Sequence, residues 1–212
     1  MENVLVLGTR TLAVEIADVI GEIPGYRVTG FVENMDRARC DETLEGLPII
    51  WADTLAEYAK SHRAVCALAT TFRKRFTDQA STHGMEFATV VHPSARVSPT
   101  SSLGEGSIVS AGVIIGARTT VGRHVIVNRG ALLGHHTEVG DYVSIMPGAN
   151  IAGRCRIGEA TYIGMGAIVI DNIAIGAHSV IGAGAVVTRN VPDNVQVMGV
   201  PARIVKENIE GK

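Results

Sequence analysis

The sequence predicts a two-part chain, a small parallel α/β unit followed by an all-β parallel β-helix, on three observations. From Val97 to Val187 every sixth residue is a branched aliphatic, with no gap and no insertion. A period of six fits neither the 3.6 of a helix nor the 2 of an ordinary strand; it marks short strands stacked coil upon coil. The residues before it instead alternate apolar strand-like runs with helical spacing, the pattern of a parallel α/β sheet. Aromatic residues are only 4% of the 212, so both cores are aliphatic, which a narrow β-helix interior requires.

In chain order, residues 4–7 (Val-Leu-Val-Leu) read as a buried strand. Gly8 and a helix over 11–20 follow, with Leu12, Ile16, Val19 and Ile20 at helical spacing. A second strand over 26–32 ends at Glu33, and after Gly46 come a short strand over 48–51, a helix over about 54–60 and a third strand over 64–69. A strand over 86–91 and the pair His92-Pro93 hand the chain on, dividing it into 1–92 and 93–212. Ligands of such a Rossmann-like sheet sit beyond the carboxyl ends of the strands, here at residues 8–12, 33–35 and 69–73. Glu33 is placed to meet a ribose, with Asn34 beside it. The preceding loop, Gly8 then Thr9, Arg10, Thr11, Leu12 and Ala13, has one glycine where a nucleotide loop usually has several. Arg10 either meets a phosphate or carboxylate or is simply solvated.

In the second part the aliphatic column, Val97, Leu103, Val109 and onward to Val187, is expected to point inward. Glycine follows it at positions such as 104, 116, 122, 134 and 140, where a missing Cβ relieves a corner. Small residues two places before it, such as Ser107, Thr119, Ala131 and Cys155, are expected inside as well. A net charge of −2 and no basic patch interleaved with aromatics argue against nucleic acid or an anionic membrane. No apolar run approaches a membrane span of about 18 residues, and the opening residues lack a basic leader, so a cytoplasmic protein is expected. Three cysteines, Cys40, Cys66 and Cys155, without metal-like spacing are expected to be reduced.

Residues that break the repeat are the informative ones. His135, two places past Leu133, is expected on the outer wall, where an imidazole can act as a general base at neutral pH; an ordinary surface histidine is the alternative. Eighteen residues make one coil, which stacks Gly153 on His135. A backbone N–H there, with no Cβ in the way, suits a carbonyl oxygen that becomes negative in acyl transfer. Asn128, about one face earlier, can hold an amine or hydroxyl through its amide. Glu138 and Asp141 either orient His135 or solvate the corner. His124, His135, His136 and His178 raise the alternative of a zinc site shared across an interface, but without ligand spacing no metal site is assigned.

Five motifs in order carry a resemblance over nearly the whole chain. They are Val91-His92-Pro93-Ser94-Ala95, the stretch 128–136 followed by Val139-Gly140-Asp141, Pro147-Gly148-Ala149, the stretch 182–187, and Gly199-Val200-Pro201-Ala202-Arg203. The chain resembles the bacterial sugar O- and N-acyltransferases of the sialic acid O-acetyltransferase type, which include enzymes acting on UDP-linked 4-amino sugars and GDP-perosamine. The resemblance implies a homotrimer of left-handed β-helices with a C-terminal cap. It also implies acyl-CoA, in particular acetyl-CoA, in the groove between neighbours, and a nucleotide-linked amino sugar held by the α/β unit for surface glycan synthesis. It assigns the base to His135, the sugar-positioning asparagine to Asn128 and the amide facing the thioester carbonyl to Gly153. Acyl-CoA contacts fall on Ser144, Met165 and Ala183, and sugar-nucleotide contacts on Thr11, Leu12, Ala13, Glu33 and Asn34. Three positions depart from the pattern: His136 replaces the acidic residue after the base, Ser144 replaces a frequent histidine, and the sugar-nucleotide loop lacks its glycines. O-acetylation, a non-nucleotide acceptor and a metal-dependent carbonic anhydrase-like β-helix are the alternatives.

Overall fold

A computed structural model describes all 212 residues. The chain forms two compact units, Met1–Ala69 with Arg73–Pro93, and Thr70–Phe72 with Ser94–Lys212.

The first unit contains β1 (Glu2–Leu7), α1 (Thr11–Gly21), β2 (Tyr26–Glu33), β3 (Thr43–Leu44), β4 (Leu47–Trp51), β5 (His62–Cys66), α2 (Lys74–Thr82) and β6 (Glu86–Phe87). They form one sheet in the order β3-β4-β2-β1-β5-β6, parallel except for the β3–β4 hairpin. Strand order reverses direction at β1, so the loop after Leu7 sits at the switch point where such sheets take their ligands. Val4 to Leu7 are wholly buried, as a central parallel strand demands. On α1 the buried stripe is Ala13, Ile16, Val19 and Ile20, with Leu12 only half-buried.

Two local expectations are corrected, and one helix is added. The helix expected over 54–60 is a 3-10 helix, Ala52–Glu57: the Thr54 hydroxyl donates to the Trp51 carbonyl at 2.8 Å and the Tyr58 N–H to the Leu55 carbonyl at 2.9 Å, so the turn stays tight. Helix α2 carries only a thin apolar signal in the sequence, since Phe76, Thr77 and Ala80 are the buried ones of its nine residues. The strand expected over 86–91 is broken into Glu86–Phe87 and Val90–Val91.

In the second unit, two-residue strands form three faces. One carries Ile108–Val109, Ile126–Val127, Ser144–Ile145, Tyr162–Ile163 and Val180–Ile181; the next Ile114–Ile115, Leu132–Leu133, Asn150–Ile151 and Ile168–Val169; the third Thr120–Val121, Glu138–Val139, Arg156–Ile157 and Ala174–Ile175. Each strand pairs in parallel with the one a coil later, as Leu133 does with Ile151 and Val139 with Ile157. From Val109 to Val187 every aliphatic of the six-residue column is buried. The final coil is shorter, pairing Val180 with Gln196, and it ends in an antiparallel pair, Gln196–Met198 with Arg203–Lys206. No helix is long and apolar enough to cross a membrane.

The corner glycines are explained by crowding alone. A Cβ on Gly116 would lie 2.7 Å from the His135 nitrogen, and one on Gly140 2.8 Å from that of Glu159, so the next coil's backbone needs the space. The left-handed backbone falls two residues later, at Gly130, Gly148 and Gly166 and also at His136, Arg154 and Asn172. The small interior residues do more than fit. Hydroxyls of Ser107, Thr119 and Thr161 donate to the carbonyls of Gly122, Gly134 and Gly176 at 2.7–2.8 Å, and Ser107 also accepts from the Val125 N–H at 3.0 Å. They satisfy corner peptides that the strand ladders leave unpaired.

Ser107→Ala should therefore cost about 1–3 kcal/mol, since a buried carbonyl and N–H both lose their partner. Chemical denaturation gives the value, and an unchanged midpoint would refute the role assigned to the hydroxyl.

Candidate active site

The stacking of coils places His135 where the aliphatic column and the glycine corner put it. Gly134 follows Leu133, and a Cβ there would strike the Gly153 nitrogen and the Ala152 carbonyl group of the next coil. His135 then projects outward and is exposed. Its ring lies against Gly153, whose Cβ, if present, would be 2.7 Å from Cε1 and 2.9 Å from Nε2. From inside, the Thr137 hydroxyl donates to the Ala152 carbonyl at 3.2 Å. In a trans peptide the N–H opposes the C=O, so this bond turns the Gly153 N–H outward. Nothing in the chain takes up that N–H, whereas the equivalent N–H groups of Arg123 and Ala177 donate to Asp141 and Asp193 one coil later. Asp171, at the corresponding place above Gly153, accepts instead from the Asn172 amide.

His136 occupies a left-handed turn position, φ 57°, and its Nδ1 is 3.0 Å from Nδ1 of His135, with the rings edge to face. Neither candidate carboxylate touches His135. Asp141 binds Arg123 through its backbone N–H at 2.8 Å and its guanidinium at 2.9 and 3.1 Å; burial pushes the Asp141 carboxyl up, but these bonds hold it below its ordinary value. Glu138 lies 3.6 Å from Arg156. Within one chain His124 stacks on Tyr142 at 5.1 Å, and the chain by itself forms no group of three metal-binding side chains.

The remaining β-helix candidates sit on a different corner. Asn128, Met165 and Ala183 follow strands of the first face, whereas His135 and Gly153 follow strands of the second. Asn128 is buried, and its Oδ1 accepts from the Arg129 N–H at 2.7 Å. Met165 and Ala183 are exposed, but Ser144 has no exposed surface. One chain thus brings His135, His136 and Gly153 together and leaves Asn128, Met165 and Ala183 one face away.

In the α/β unit the expected residues split into open and inward groups. Arg10 and Thr11 are exposed and, with Thr9, Glu15 and Arg39, line a cleft of about 610 Å³. Ala13 belongs to the core stripe of α1, and Thr9 and Glu33 are turned toward each other. Glu33 is therefore not an open ribose acceptor. One carboxylate oxygen accepts the N–H groups of Asn34 and Met35 at 2.9 Å, the other the Thr9 hydroxyl. Arg39 donates to Thr9 and lies 3.8 Å from Glu33; no periodicity marked it in the sequence. Asn34 donates to Gln79 at 2.9 Å. Burial pushes the Glu33 carboxyl up, but the bonds from Thr9, Met35, Asn34 and Asp36 outweigh it and hold it below its ordinary 4.5.

The coiled scaffold of six-residue repeats is that of the hexapeptide-repeat transferases, and its whole-chain likeness to solved acetyltransferases makes the chain an acyltransferase. Residues 154–189 match the family model described as bacterial transferase hexapeptide (six repeats). A histidine-to-asparagine variant of perosamine N-acetyltransferase from Caulobacter crescentus, solved with CoA and GDP-perosamine, is 31% identical over 98% of each chain, with a TM-score of 0.90. The acetyltransferase domain of PglB from Neisseria gonorrhoeae, solved with acetyl coenzyme A, is 28% identical over 96% of this chain and 99% of that one, with a TM-score of 0.89. WeeI from Acinetobacter baumannii is 25% identical over 97% and 100%, with a TM-score of 0.86. No curated protein sequence matches. The chain belongs to the hexapeptide-repeat sugar acyltransferases.

Two outcomes follow from this geometry. Gly153 has an ordinary backbone conformation, so Gly153→Ala should fold with little change in melting temperature; its Cβ must push the His135 ring aside, and kcat should fall roughly tenfold or more. A wild-type kcat would detach Gly153 from the chemistry. Because Glu33 is held low in the folded state, the stability it contributes is present above its ordinary value and lost as pH falls through the folded-state value. Glu33→Gln should be less stable at neutral pH and lose less stability on acidification, which melting curves across acidic pH measure.

Proposed function

We propose that this enzyme transfers an acetyl group from acetyl-CoA to the amino group of a nucleotide-linked amino sugar, in surface glycan synthesis in the cytoplasm. The observation that carries the reading is the single corner shared by His135 and the outward Gly153 N–H. His135 takes a proton from the amine as it attacks the thioester carbonyl, the Gly153 N–H stabilises the oxyanion, and CoA leaves as the thiol. Direct transfer within a ternary complex accounts for the groups present. The α/β unit holds the nucleotide at Arg10, Thr11 and the loop after Glu33. Support for both ligands comes from relatives solved with CoA, acetyl-CoA and GDP-perosamine.

The working form is a homotrimer. Along one chain Gly153 and the Met165–Ala183 corner, both expected to touch acyl-CoA, stand at opposite ends of a face. A neighbouring copy presents the second corner, and ring closure satisfies every copy at once. The intervening face carries the exposed side chains of Ile114, Leu132 and Ile168, with Asn150 between the last two, a largely apolar column suited to burial between copies.

The test is acetyl transfer by purified protein to GDP-, UDP- and dTDP-linked amino sugars and their hydroxyl analogues, with mass determination of the product. An N-acetylated nucleotide sugar is expected, formed by a particle about three times the 22.3 kDa chain. His135→Asn should lower kcat by roughly a hundredfold or more and leave acetyl-CoA affinity unchanged. An O-acetylated product, an active monomer or a fully active His135→Asn would each overturn the corresponding part.

A further inference from the structure

The contact between His135 and His136 has a constraint of its own. Two ring nitrogens 3.0 Å apart share one proton, so one Nδ1 donates and the other accepts. If His136 donates, His135 carries its proton on Nε2 and has no lone pair on the side facing Gly153. If His135 donates, its Nε2 is a free base, and His136 accepts on Nδ1 with its own proton on Nε2.

We propose that His136 is the positioning residue and proton-relay partner of His135, in the tautomer that leaves His135 Nε2 basic; this rests on the acyl-transfer reading. As the acceptor nitrogen bonds to the acyl carbon, its proton passes to His135 Nε2. The His135 Nδ1 proton moves to His136 Nδ1, and the proton on His136 Nε2 leaves to water. The C–S bond breaks, and the thiolate takes one proton from water, so the proton count is unchanged. Regeneration reverses both steps through solvent: His135 Nε2 gives its proton to water, His136 Nδ1 returns its proton to His135 Nδ1, and His136 Nε2 takes a proton from water, so the pair regains its starting tautomers with no net change in protons. A carboxylate in the same place would hold the imidazolium but would lack the second nitrogen from which a proton can leave on the far side.

The surroundings give that exit. His136 is exposed and lines a groove of about 540 Å³ with Glu138, Arg154, Arg156, Asn172 and Asn190. The charged groups facing it are Arg154, from the next coil, and the Glu138–Arg156 pair, with Arg118 at the equivalent turn one coil before. The one carboxylate of that groove, Glu138, is paired with Arg156 at 3.6 Å, so a proton reaching His136 meets a neutralised rather than a free negative charge.

His136→Asn is the decisive variant. Asparagine tolerates left-handed backbone and already stands at the same turn as Asn172, φ 59°, so the fold should persist. Its Oδ1 can accept the His135 Nδ1 proton bond but cannot pass a proton on. Nitrogen-15 spectra of histidine-labelled, substrate-free protein should show His135 protonated on Nδ1 against an unprotonated His136 Nδ1. In His136→Asn, kcat should fall about tenfold or more at unchanged KM for both substrates. The dependence of kcat on deuterium content should change from curved, with more than one proton moving, to straight. Neutral His135 protonated on Nε2, or a variant with wild-type kcat and a curved dependence, would overturn the relay. If instead His135→Asn is fully active, the acyl-transfer reading fails, and the spectra still decide the state of the pair.

Discussion

The β-helix depends on one constraint, the close stacking of successive coils at a separation of eighteen residues. It brings corner peptides so near one another that a single Cβ on Gly116 or Gly140 would collide with the backbone above. Corner carbonyls cannot join the strand ladders, and a buried carbonyl without a partner is costly. Interior hydroxyls at Ser107, Thr119, Thr137 and Thr161 resolve this by reaching across to those carbonyls. The same device that stabilises the scaffold also aims the peptide of Gly153. The outward N–H is a by-product of how the corner is satisfied, since a hydroxyl pulling a C=O inward leaves the N–H outside.

The α/β unit is organised around a different group. Glu33 ends its strand with a buried carboxylate, and three sets of partners converge on it: Thr9 after β1, Arg39 from the 3-10 helix Arg37–Asp41, and the N–H groups of Asn34 and Met35. This network fixes the loop after β1 without the glycines that a nucleotide loop usually employs, and it leaves Arg10 and Thr11 facing the cleft. The loop's unusual composition therefore has a structural counterpart: side-chain bonds hold what glycine-rich backbone would otherwise shape.

Family membership rests on whole-chain likeness to sugar acyltransferases rather than on any one residue. Within that family, function is set by what each site adds to a shared scaffold. In this chain the residue after His135 is a second imidazole in direct ring contact, and the wall beyond it is lined by Arg154 and Arg156. Those features give the site of this chain its own chemistry on the coiled scaffold.

The period of six determined the β-helix, its aliphatic column and the outward placement of His135 over Gly153, because stacking at a fixed repeat leaves side chains no freedom to change face. Strand runs with intervening helical spacing likewise determined the α/β unit, though not α2, whose apolar signal is only three residues, nor the 3-10 turn at 52–57. Tertiary structure alone decided that Thr9 and Glu33 bind each other, that Arg39 joins them, and that Asp141 belongs to Arg123. It also decided that Asn128 and His135 lie on different corners and that the two histidine rings meet through Nδ1. These outcomes depend on side-chain direction and on distances between segments far apart in the chain, and a repeat pattern encodes only which face a residue occupies, not which partner it reaches.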